Sequence, residues 1–351
     1  MPEQAPTDRR VTIRDVAGKA GVSISTVSHV FSGRRRISPA TQDRVLAAAA
    51  LLGYGANPAA RALRTGRSGL IGLILRPRDA VHGSVHGTET FIRLAGAIAA
   101  EVLERKLALV HVPDILDPAA QRVPMDGCIV VSPYGNDEVV TELLRQRLPV
   151  VTAEEDPDRP ALPWTVAMDH GGAVTDLLDG LHLRGAQAIM LITGTEDNAW
   201  NRRSRESYLT WTQHHHITPR VAELYEGAGA QGARELIEPL LHSPQRPDAI
   251  VAASSRFAAG IADSASHRGL TIPDDLMLAA LTDSAYTRSH TPSITSVDLA
   301  LEELARASVE LMVRQLDGAE PPEQRVVVRP CIHWRPSTAN EAVPYPATES
   351  R

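Results

Sequence analysis

The amino-acid sequence predicts an all-α head followed by a larger α/β body with parallel sheets. Three observations carry this prediction. Residues 1–67 hold eleven Arg or Lys against four Asp or Glu, a net charge of +7, whereas the 351-residue chain as a whole carries −6. Helix-capping signals divide residues 12–53 into short helices. From residue 69 onward, strand-like and helix-like segments alternate, which is typical of α/β layers.

Two short helices open the head, after residues 1–10, which we expect to be disordered. The first helix begins at Thr12, which is predicted to form a capping box with Asp15, and it ends at Gly21. The second helix begins after Ser23. Two short helices joined by a tight turn that contains glycine are typical of a helix-turn-helix, and we assign residues 11–56 to this motif.

A third helix of the head is predicted to begin at Ser38-Pro39 and to end at Gly53. The outward positions of the second helix are short, mostly hydrogen-bonding and free of acidic residues, and Arg34, Arg35 and Arg36 follow it. An ordinary solvated helix face would more often carry Glu and Lys. The pattern therefore favours contacts with the phosphates and grooves of DNA.

Residues 57–68 are predicted to form a hinge helix and linker. Asn57 is a good cap, and Pro58 suits the first helical turn. An isolated helix shorter than about 12 residues is marginal in water, so this segment needs something to pack against. Arg61 and Arg64 are placed to reach phosphates.

Three stretches of the chain resemble the head and hinge of the LacI/GalR family of transcriptional regulators. They read VTIRDVAGKAGVSISTVSHVFSG, ISPATQDRVLAAAALLGY and NPAARALRTGRSGLIGLIL. The resemblance implies that the second helix enters the major groove and that Ile24, Ser25 and His29 read bases. It implies phosphate contacts for Thr12, Ser23, Thr26, Ser28 and Ser32, beside Arg34 and Arg35.

The same resemblance implies that the hinge becomes helical only on operator DNA, paired with its copy in the minor groove. Leu63 would be the side chain that wedges into the central base step, with Ala60 and Asn57 facing the groove and the backbone. The expected partners are therefore a palindromic double-stranded operator and a second copy of the chain, giving a homodimer.

The body is expected to be two-lobed and similar to a periplasmic binding protein. Within an effector-binding and dimerisation domain of 69–335, the first lobe would hold about 69–169 and 299–324, and the second about 170–298 and 325–337. Residues 336–351 would be a flexible tail without leucine heptads. Strand-like runs are 69–75, 107–112, 127–132, 149–152, 164–169, 188–193, 248–254, 275–281 and 325–334.

A small-molecule effector is expected between the lobes, at the carboxyl ends of the strands. Positions that hold charged side chains in sugar-binding relatives are Ser204, Ser254-Ser255 and Thr282 here, so a charge-anchored sugar is not expected. Arg203 with Trp200 would suit a planar or anionic effector. The candidate effector residues are Arg76, Arg78, His82, His86, Phe91, Ser132, Tyr134, Glu154, Asn198, Trp200, Arg203, Ser254, Thr282 and Asp283.

Other classes of function find little support in the sequence. No catalytic nucleophile motif, phosphate-binding loop or zinc motif occurs, so no enzyme, cofactor or metal site is expected. Cys128 and Cys331 lie in apolar runs and are expected to be buried, reduced thiols. No signal peptide or long apolar run is present, which favours the cytoplasm and no membrane contact.

These observations predict a sequence-specific DNA-binding transcriptional regulator, most often a repressor in this family, whose operator affinity a small molecule controls. The alternative is a solute-binding sensor without a DNA function, and a third reading is an α/β enzyme. The basic residues of the head argue against the second, and the missing catalytic motifs argue against the third.

Overall fold

The structure, a computed structural model, describes residues 11–32, 35–54, 67–76, 89–113, 115–118 and 122–339, without the side chain of Ser32. The chain divides into two compact units, residues 1–69 and 70–351, which we call the head and the body. The segment predicted to be disordered, the hinge helix and most of the predicted tail lie outside the described residues.

The described part of the head consists of three helices around a small apolar core. They are α1 (Ile13–Ala20), α2 (Ile24–Ser32) and α3 (Pro39–Leu51). The Thr12 N–H donates to Asp15 Oδ2 at 2.8 Å, which confirms the predicted capping box. Gly21 ends α1 with a φ of +62°, a conformation that glycine adopts without strain. Val16, Val27 and Val45, one from each helix, are fully buried and hold the three helices together.

The first sheet of the body is parallel and has the strand order β2-β1-β3-β4-β5-β11. Its strands are β1 (Leu70–Leu75), β2 (Ala108–His111), β3 (Gly127–Val131), β4 (Val150–Ala153), β5 (Thr165–Met168) and β11 (Val326–Val328). Its helices are α4 (Glu89–Glu104), α5 (Glu138–Arg145) and α11 (Leu301–Leu316). Strands β3 and β4 are buried along their whole length, as parallel strands covered on both faces must be. This sheet and these helices are the first lobe.

The second sheet has the strand order β7-β6-β8-β9-β10-β12 and is parallel except for β12, which runs antiparallel to β10. Its strands are β6 (Ile189–Thr193), β7 (Val221–Glu223), β8 (Ala249–Ala252), β9 (Met277–Ala280), β10 (Thr295–Asp298) and β12 (Cys331–His333). Its helices are α6 (His170–Leu183), α7 (Ala199–His214), α8 (Gly229–Leu241), α9 (Ser255–His267) and α10 (Ala285–Ser289). Together they form the second lobe, which short 3-10 turns at Glu226–Ala228 and Pro336–Thr338 complete.

Three expectations about the end of the body are wrong. The predicted tail begins too early, because Ser337 and Thr338 lie in the 3-10 turn and are fully buried. Residues 325–337 were expected in the second lobe, with one strand-like run at 325–334, but β11 pairs with β5 in the first sheet and only β12 belongs to the second. Cys331 is exposed rather than buried, because β12 lies at the edge of its sheet.

The chain crosses between the lobes three times, after β5, after β10 and after β11. The second crossing leads from β10 through Leu299 and Ala300 into α11, which packs on α4 and on the first sheet. Parallel α/β sheets bind ligands beyond the carboxyl ends of their strands. The two lobes therefore present their ligand-binding ends to a common cleft.

Candidate functional site

The exposed face of α2 carries the residues that were predicted to meet DNA. Ser23 and Ser25 are exposed, and Ile24 is 45% exposed although it is a large apolar residue. Thr26, Ser28 and His29 are half-buried, while Val27 on the opposite face is fully buried. The Thr26 N–H donates to Ser23 Oγ at 3.1 Å, which caps the helix. The helix therefore offers short polar side chains and one apolar residue to a partner.

The head also carries exposed basic side chains. Arg14, Lys19, Arg35 and Arg36 are exposed in the described part of the head. Arg44 stabilises the head itself. Its guanidinium donates to the carbonyl of Ala20 at 2.7 Å and so links α3 to the end of α1. Exposed basic side chains in the same unit as a polar helix face favour attraction to a phosphate backbone.

A cleft of about 930 Å³, including its part open to solvent, lies between the lobes of the body. Both lobes contribute apolar side chains to the lining, together with carboxylates, hydroxyls and amides. The apolar lining residues are Phe91, Leu94, Trp200, Ala253, Phe257, Leu299, Leu301 and Leu304. The other lining residues are Glu89, Thr90, Ser132, Glu154, Gly194, Glu196, Asn198, Asn201, Glu226, Ser254, Ser255, Arg256 and Thr282.

The polar wall of the first lobe is formed by Ser132 after β3 and Glu154 after β4. Both residues have a positive φ, +48° and +79°, which costs a non-glycine residue backbone energy and is common at ligand sites. The Ser132 hydroxyl donates to Glu154 Oε2. His170 Nε2 lies 3.1 Å from Glu154 Oε1 but is not aligned for a hydrogen bond. The edge of this buried imidazole meets the ring of Trp200, with the ring centres 4.8 Å apart.

Glu226 organises the polar wall of the second lobe. Its Oε1 accepts from the Glu196 N–H at 2.9 Å and from Asn201 Nδ2 at 2.8 Å, and its Oε2 accepts from the Thr195 hydroxyl at 3.1 Å. Arg256 donates to the carbonyl oxygen of Glu226 at 3.0 Å. Burial lowers the pKa of the Arg256 guanidinium, so the wall accommodates this cation at some cost.

Three lining residues also begin or brace helices of the second lobe. Asn198 caps α7, and Ser254 caps α9, each through a side-chain oxygen that accepts from a backbone N–H. Thr282 Oγ1 accepts from the Ser255 N–H at 2.8 Å. Their oxygens are thus partly engaged, while the amide N–H₂ and the hydroxyl protons remain as donors.

Contacts across the cleft join the two lobes. Tyr134 and Asn198 form an isolated antiparallel bridge, and the Gly135 N–H donates to the carbonyl of Asp197 at 2.9 Å. The Tyr134 hydroxyl donates to Glu196 Oε1 at 3.0 Å. At the other side of the cleft, Glu89 of α4 pairs with Arg288 of α10 at 3.1 Å.

Two family models match the chain. The model described as bacterial regulatory proteins, lacI family, matches residues 12–57, and the model for the periplasmic binding protein-like domain matches residues 178–338. The first covers the head with its exposed α2 face, and the second covers most of the second lobe.

The chain belongs to the LacI family.

Curated LacI-family proteins resemble the chain along nearly its whole length. Catabolite control protein A of Priestia megaterium is 25% identical over 338 residues, covering 93% of this chain and 99% of its own. The regulator PtxS of Pseudomonas plecoglossicida is 28% identical over 340 residues, covering 94% and 96%. The maltose regulon regulatory protein MalI of Escherichia coli K12 is 28% identical over 344 residues, covering 92% and 97%.

Solved structures share the fold. The lac repressor dimer bound to operator and the anti-inducer ONPF has a TM-score of 0.79 at 20% identity, covering 95% of this chain and 100% of that one. The CelR–cellobiose complex has a TM-score of 0.64 at 22% identity, covering 93% and 100%. This LacI-family chain is a DNA-binding transcriptional regulator with an effector-binding body, and it is not an enzyme. In the described part of the chain, no helix is both long and apolar enough to cross a membrane.

Several predicted effector residues line the cleft of this LacI-family protein, and others do not. Those that line it are Phe91, Ser132, Glu154, Asn198, Trp200, Ser254 and Thr282. Three predicted effector residues lie outside the described residues: Arg78, His82 and His86. So do six predicted DNA-binding residues: Arg34, Asn57, Ala60, Arg61, Leu63 and Arg64.

Four predicted effector residues, Arg76, Tyr134, Arg203 and Asp283, do not line the cleft and contact other residues of the protein. Arg76 donates to Asp137 Oδ2 at 2.7 Å and lies over the ring of Tyr134, so Arg76 braces the first lobe. Tyr134 contacts the second lobe through Asn198 and Glu196. Arg203 pairs with Glu155 at 2.7 Å.

Asp283 is enclosed by donors from Ser296, Thr287, Arg288 and Arg335. Burial alone would raise the pKa of the Asp283 carboxyl, but these donors hold it well below its usual range.

The sequence analysis missed three of the four glutamates that line the cleft among the described residues. Glu89 begins α4, Glu196 lies in the loop before α7, and Glu226 lies in a 3-10 turn, whereas we had chosen only Glu154. One signal was available, since Glu196 stands two residues before Asn198, which we had chosen. Glu226 could not be found in this way, because β7, the strand before it, was not predicted.

Proposed function

We propose that the protein is a homodimeric repressor that binds a palindromic operator in the cytoplasm and changes its operator affinity when a small molecule occupies the cleft. The exposed polar face of α2 carries the proposal, because it fits base and phosphate contacts better than a packing surface. Likeness to a lac repressor dimer bound to operator supports the dimer. Two heads on a twofold axis would meet two half-sites.

We assign base reading to Ile24, Ser25 and His29, and phosphate contacts to the hydrogen-bonding and basic residues around them. The latter are Thr12, Ser23, Thr26, Ser28, Ser32, Arg34 and Arg35. The hinge would add a minor-groove wedge at Leu63, flanked by Ala60 and Asn57, with Arg61 and Arg64 on phosphates. These assignments rest on the family and on the exposure of the described members.

Two substitutions test the assignment on an operator selected from random DNA. His29→Ala should change preference at one base position per half-site, by about 1–3 kcal/mol, because a base-edge contact is lost.

Leu63→Ala should weaken binding to every selected operator while leaving non-specific binding nearly intact, because only the kinked complex uses the wedge.

Lys19→Ala is a suitable control, since Lys19 lies exposed in the last turn of α1 and should act only through charge. It should reduce specific and non-specific affinity together and lower the salt dependence of binding. If His29→Ala gives the same uniform loss as Lys19→Ala, His29 is not a base-reading residue.

The effector is inferred to be rich in hydrogen-bond donors and not anionic. Among the described residues that line the cleft, four are glutamates and one is an arginine, and Arg256 already donates to a backbone carbonyl. Arg203 and Arg76, which would have favoured an anion, pair with carboxylates of the protein. Bringing a phosphate or carboxylate beside Glu154 and Glu226 would cost electrostatic energy.

A matched series tests this inference by thermal unfolding of the full chain. Neutral sugars, their 2-amino counterparts and their phosphates share a ring but differ in charge. We expect stabilisation by members of the neutral or amino sets, because carboxylates accept from hydroxyls and ammonium groups while Trp200 and Phe91 offer apolar faces. Stabilisation by the phosphates alone, abolished in Arg256→Gln, would overturn the inference.

A further inference from the structure

The antiparallel pairing of β10 with β12 gathers three metal-ligating side chains on one face of the second sheet. Asp298 stands directly opposite Cys331, and Ser296 stands opposite His333. Side chains alternate along a strand, so Cys331 and His333 share a face, and Asp298 points to the same face as its partner Cys331. Cys331 and His333 lie on the edge strand β12, and Asp298 lies on the neighbouring strand β10. Cys331 is exposed, and the other two residues are half-buried.

The distances fit a single ion. One ligand atom from each residue, a carboxylate oxygen, the thiol sulfur and an imidazole nitrogen, lies within 4.8 Å of the other two. His333 Nε2 and Asp298 Oδ2 are 3.3 Å apart. Tetrahedral zinc with bonds of about 2.0–2.3 Å places its ligands roughly 3.3–3.8 Å from one another, so small side-chain rotations would complete the geometry.

We propose that Asp298, Cys331 and His333 form a binding site for Zn²⁺ on the second lobe. A thiolate, an imidazole and a carboxylate together suit Zn²⁺ better than Mg²⁺ or Ca²⁺, which prefer oxygen ligands alone. With three protein ligands, the fourth position of the tetrahedron would hold water.

The surroundings of Asp298 support its role as a ligand. Its Oδ1 accepts from the Ala300 N–H at 2.9 Å, which orients the carboxylate and leaves Oδ2 directed at His333. In metal sites, hydrogen bonds of this kind orient the side chains that bind the ion directly. A salt bridge between Asp298 and His333 would by itself explain why these two side chains are adjacent. It would not explain why the Cys331 thiol lies within reach of both.

The position of the site links it to the lobes. Asp298 directly precedes the crossing at 299–300, and Cys331 directly follows the crossing after β11. Leu299, in the first of these crossings, also lines the cleft. Zn²⁺ bound to both strands would link the crossing after β10 to the crossing after β11, beside the cleft.

Cobalt substitution tests the proposal in the full-length protein. We expect one equivalent of Co²⁺ to give the visible bands of a tetrahedral ion and a thiolate charge-transfer band, and Zn²⁺ to displace it. Cys331→Ser should abolish the charge-transfer band, and His333→Gln should weaken Zn²⁺ binding at least about tenfold. Cys128 cannot supply the thiolate, because it is fully buried and burial raises its pKa.

His290→Gln is the matched control, since His290 is another half-buried imidazole of the second lobe whose Nδ1 lies 3.0 Å from a backbone oxygen. It should leave the cobalt spectrum and the zinc affinity unchanged. Circular dichroism checks that each variant is folded. A spectrum without the charge-transfer band, or zinc binding that survives in folded Cys331→Ser, would overturn the proposal.

Discussion

A single buried carboxylate, Asp156, holds together the loop that leads from β4 to the mouth of the cleft. Its Oδ1 accepts from the backbone N–H groups of Asn136 and Asp158, each at 3.0 Å. Its Oδ2 accepts from the Asp137 N–H at 3.0 Å and from Arg159 Nε at 2.8 Å. The residue is completely buried, so these donors replace water entirely. The Asp156 side chain therefore fixes two backbone segments of the first lobe, one at residues 136–137 and one at residue 158.

Asp156→Ala should lower the free energy of unfolding of the body by about 3 kcal/mol, because it leaves the Arg159 Nε–H and several buried backbone N–H groups without an acceptor. Asp263→Ala removes the partner of Arg234 in an exposed pair and should cost less than about 1 kcal/mol. Urea unfolding of both variants measures the difference. Equal losses would mean that the loop does not depend on the Asp156 network.

The same carboxylate should make stability depend on pH. Burial raises the pKa of Asp156, but the hydrogen bonds from Asp137, Arg159 and Asp158 outweigh burial, and the folded-state pKa lies below the ordinary value. Its contribution is thus present above the unfolded pKa of about 3.9 and is lost as pH falls through the folded pKa. The stability gap between wild type and Asp156→Ala should therefore narrow below about pH 4.

At the scale of helices and strands, prediction succeeded where local chemistry decides the outcome. The head helices were predicted from capping residues and glycine, which act within a few positions of the chain. Five strands of the first lobe and three of the second were predicted because each contains a continuous apolar run, as strands of parallel sheets commonly do. The three-residue strand β7 and the strand β10 were missed, since neither is an apolar run.

Elements whose identity depends on distant pairing could not be predicted. Residues 325–334 read as one strand, yet β11 joins the first sheet and β12 the second, and only the partners β5 and β10 determine this. The same pairing makes Cys331 an edge residue and brings it to Asp298, so neither its exposure nor the proposed zinc site was visible in the sequence. For the same reason, the partners of Arg203 and Arg76 could not be foreseen.

On the scale of the whole body, the cleft is bordered by contacts that link the lobes and hold it closed. Asp158, beyond β4, accepts from Arg202 of α7 at 2.5 Å, and Glu155 pairs with Arg203 beside it. The side chains of Asp158 and Arg202 are each 33% exposed, so the pair is worth no more than about 1 kcal/mol. That is enough to shift the balance between open and closed lobes severalfold without affecting the fold.

Asp158→Asn should therefore open the lobes more often, which the exchange of the Gly135 amide hydrogen can measure. That N–H donates across the cleft to the Asp197 carbonyl at 2.9 Å, so it exchanges when the lobes separate. We expect exchange to accelerate about fivefold at low salt, which corresponds to about 1 kcal/mol, and the difference to shrink in about 1 M salt. Glu223→Gln, which breaks an exposed pair within the second lobe, should leave Gly135 unchanged. If Asp158→Asn and Arg202→Gln accelerate exchange additively in the double variant, the two side chains act separately and the ion pair does not hold the lobes together.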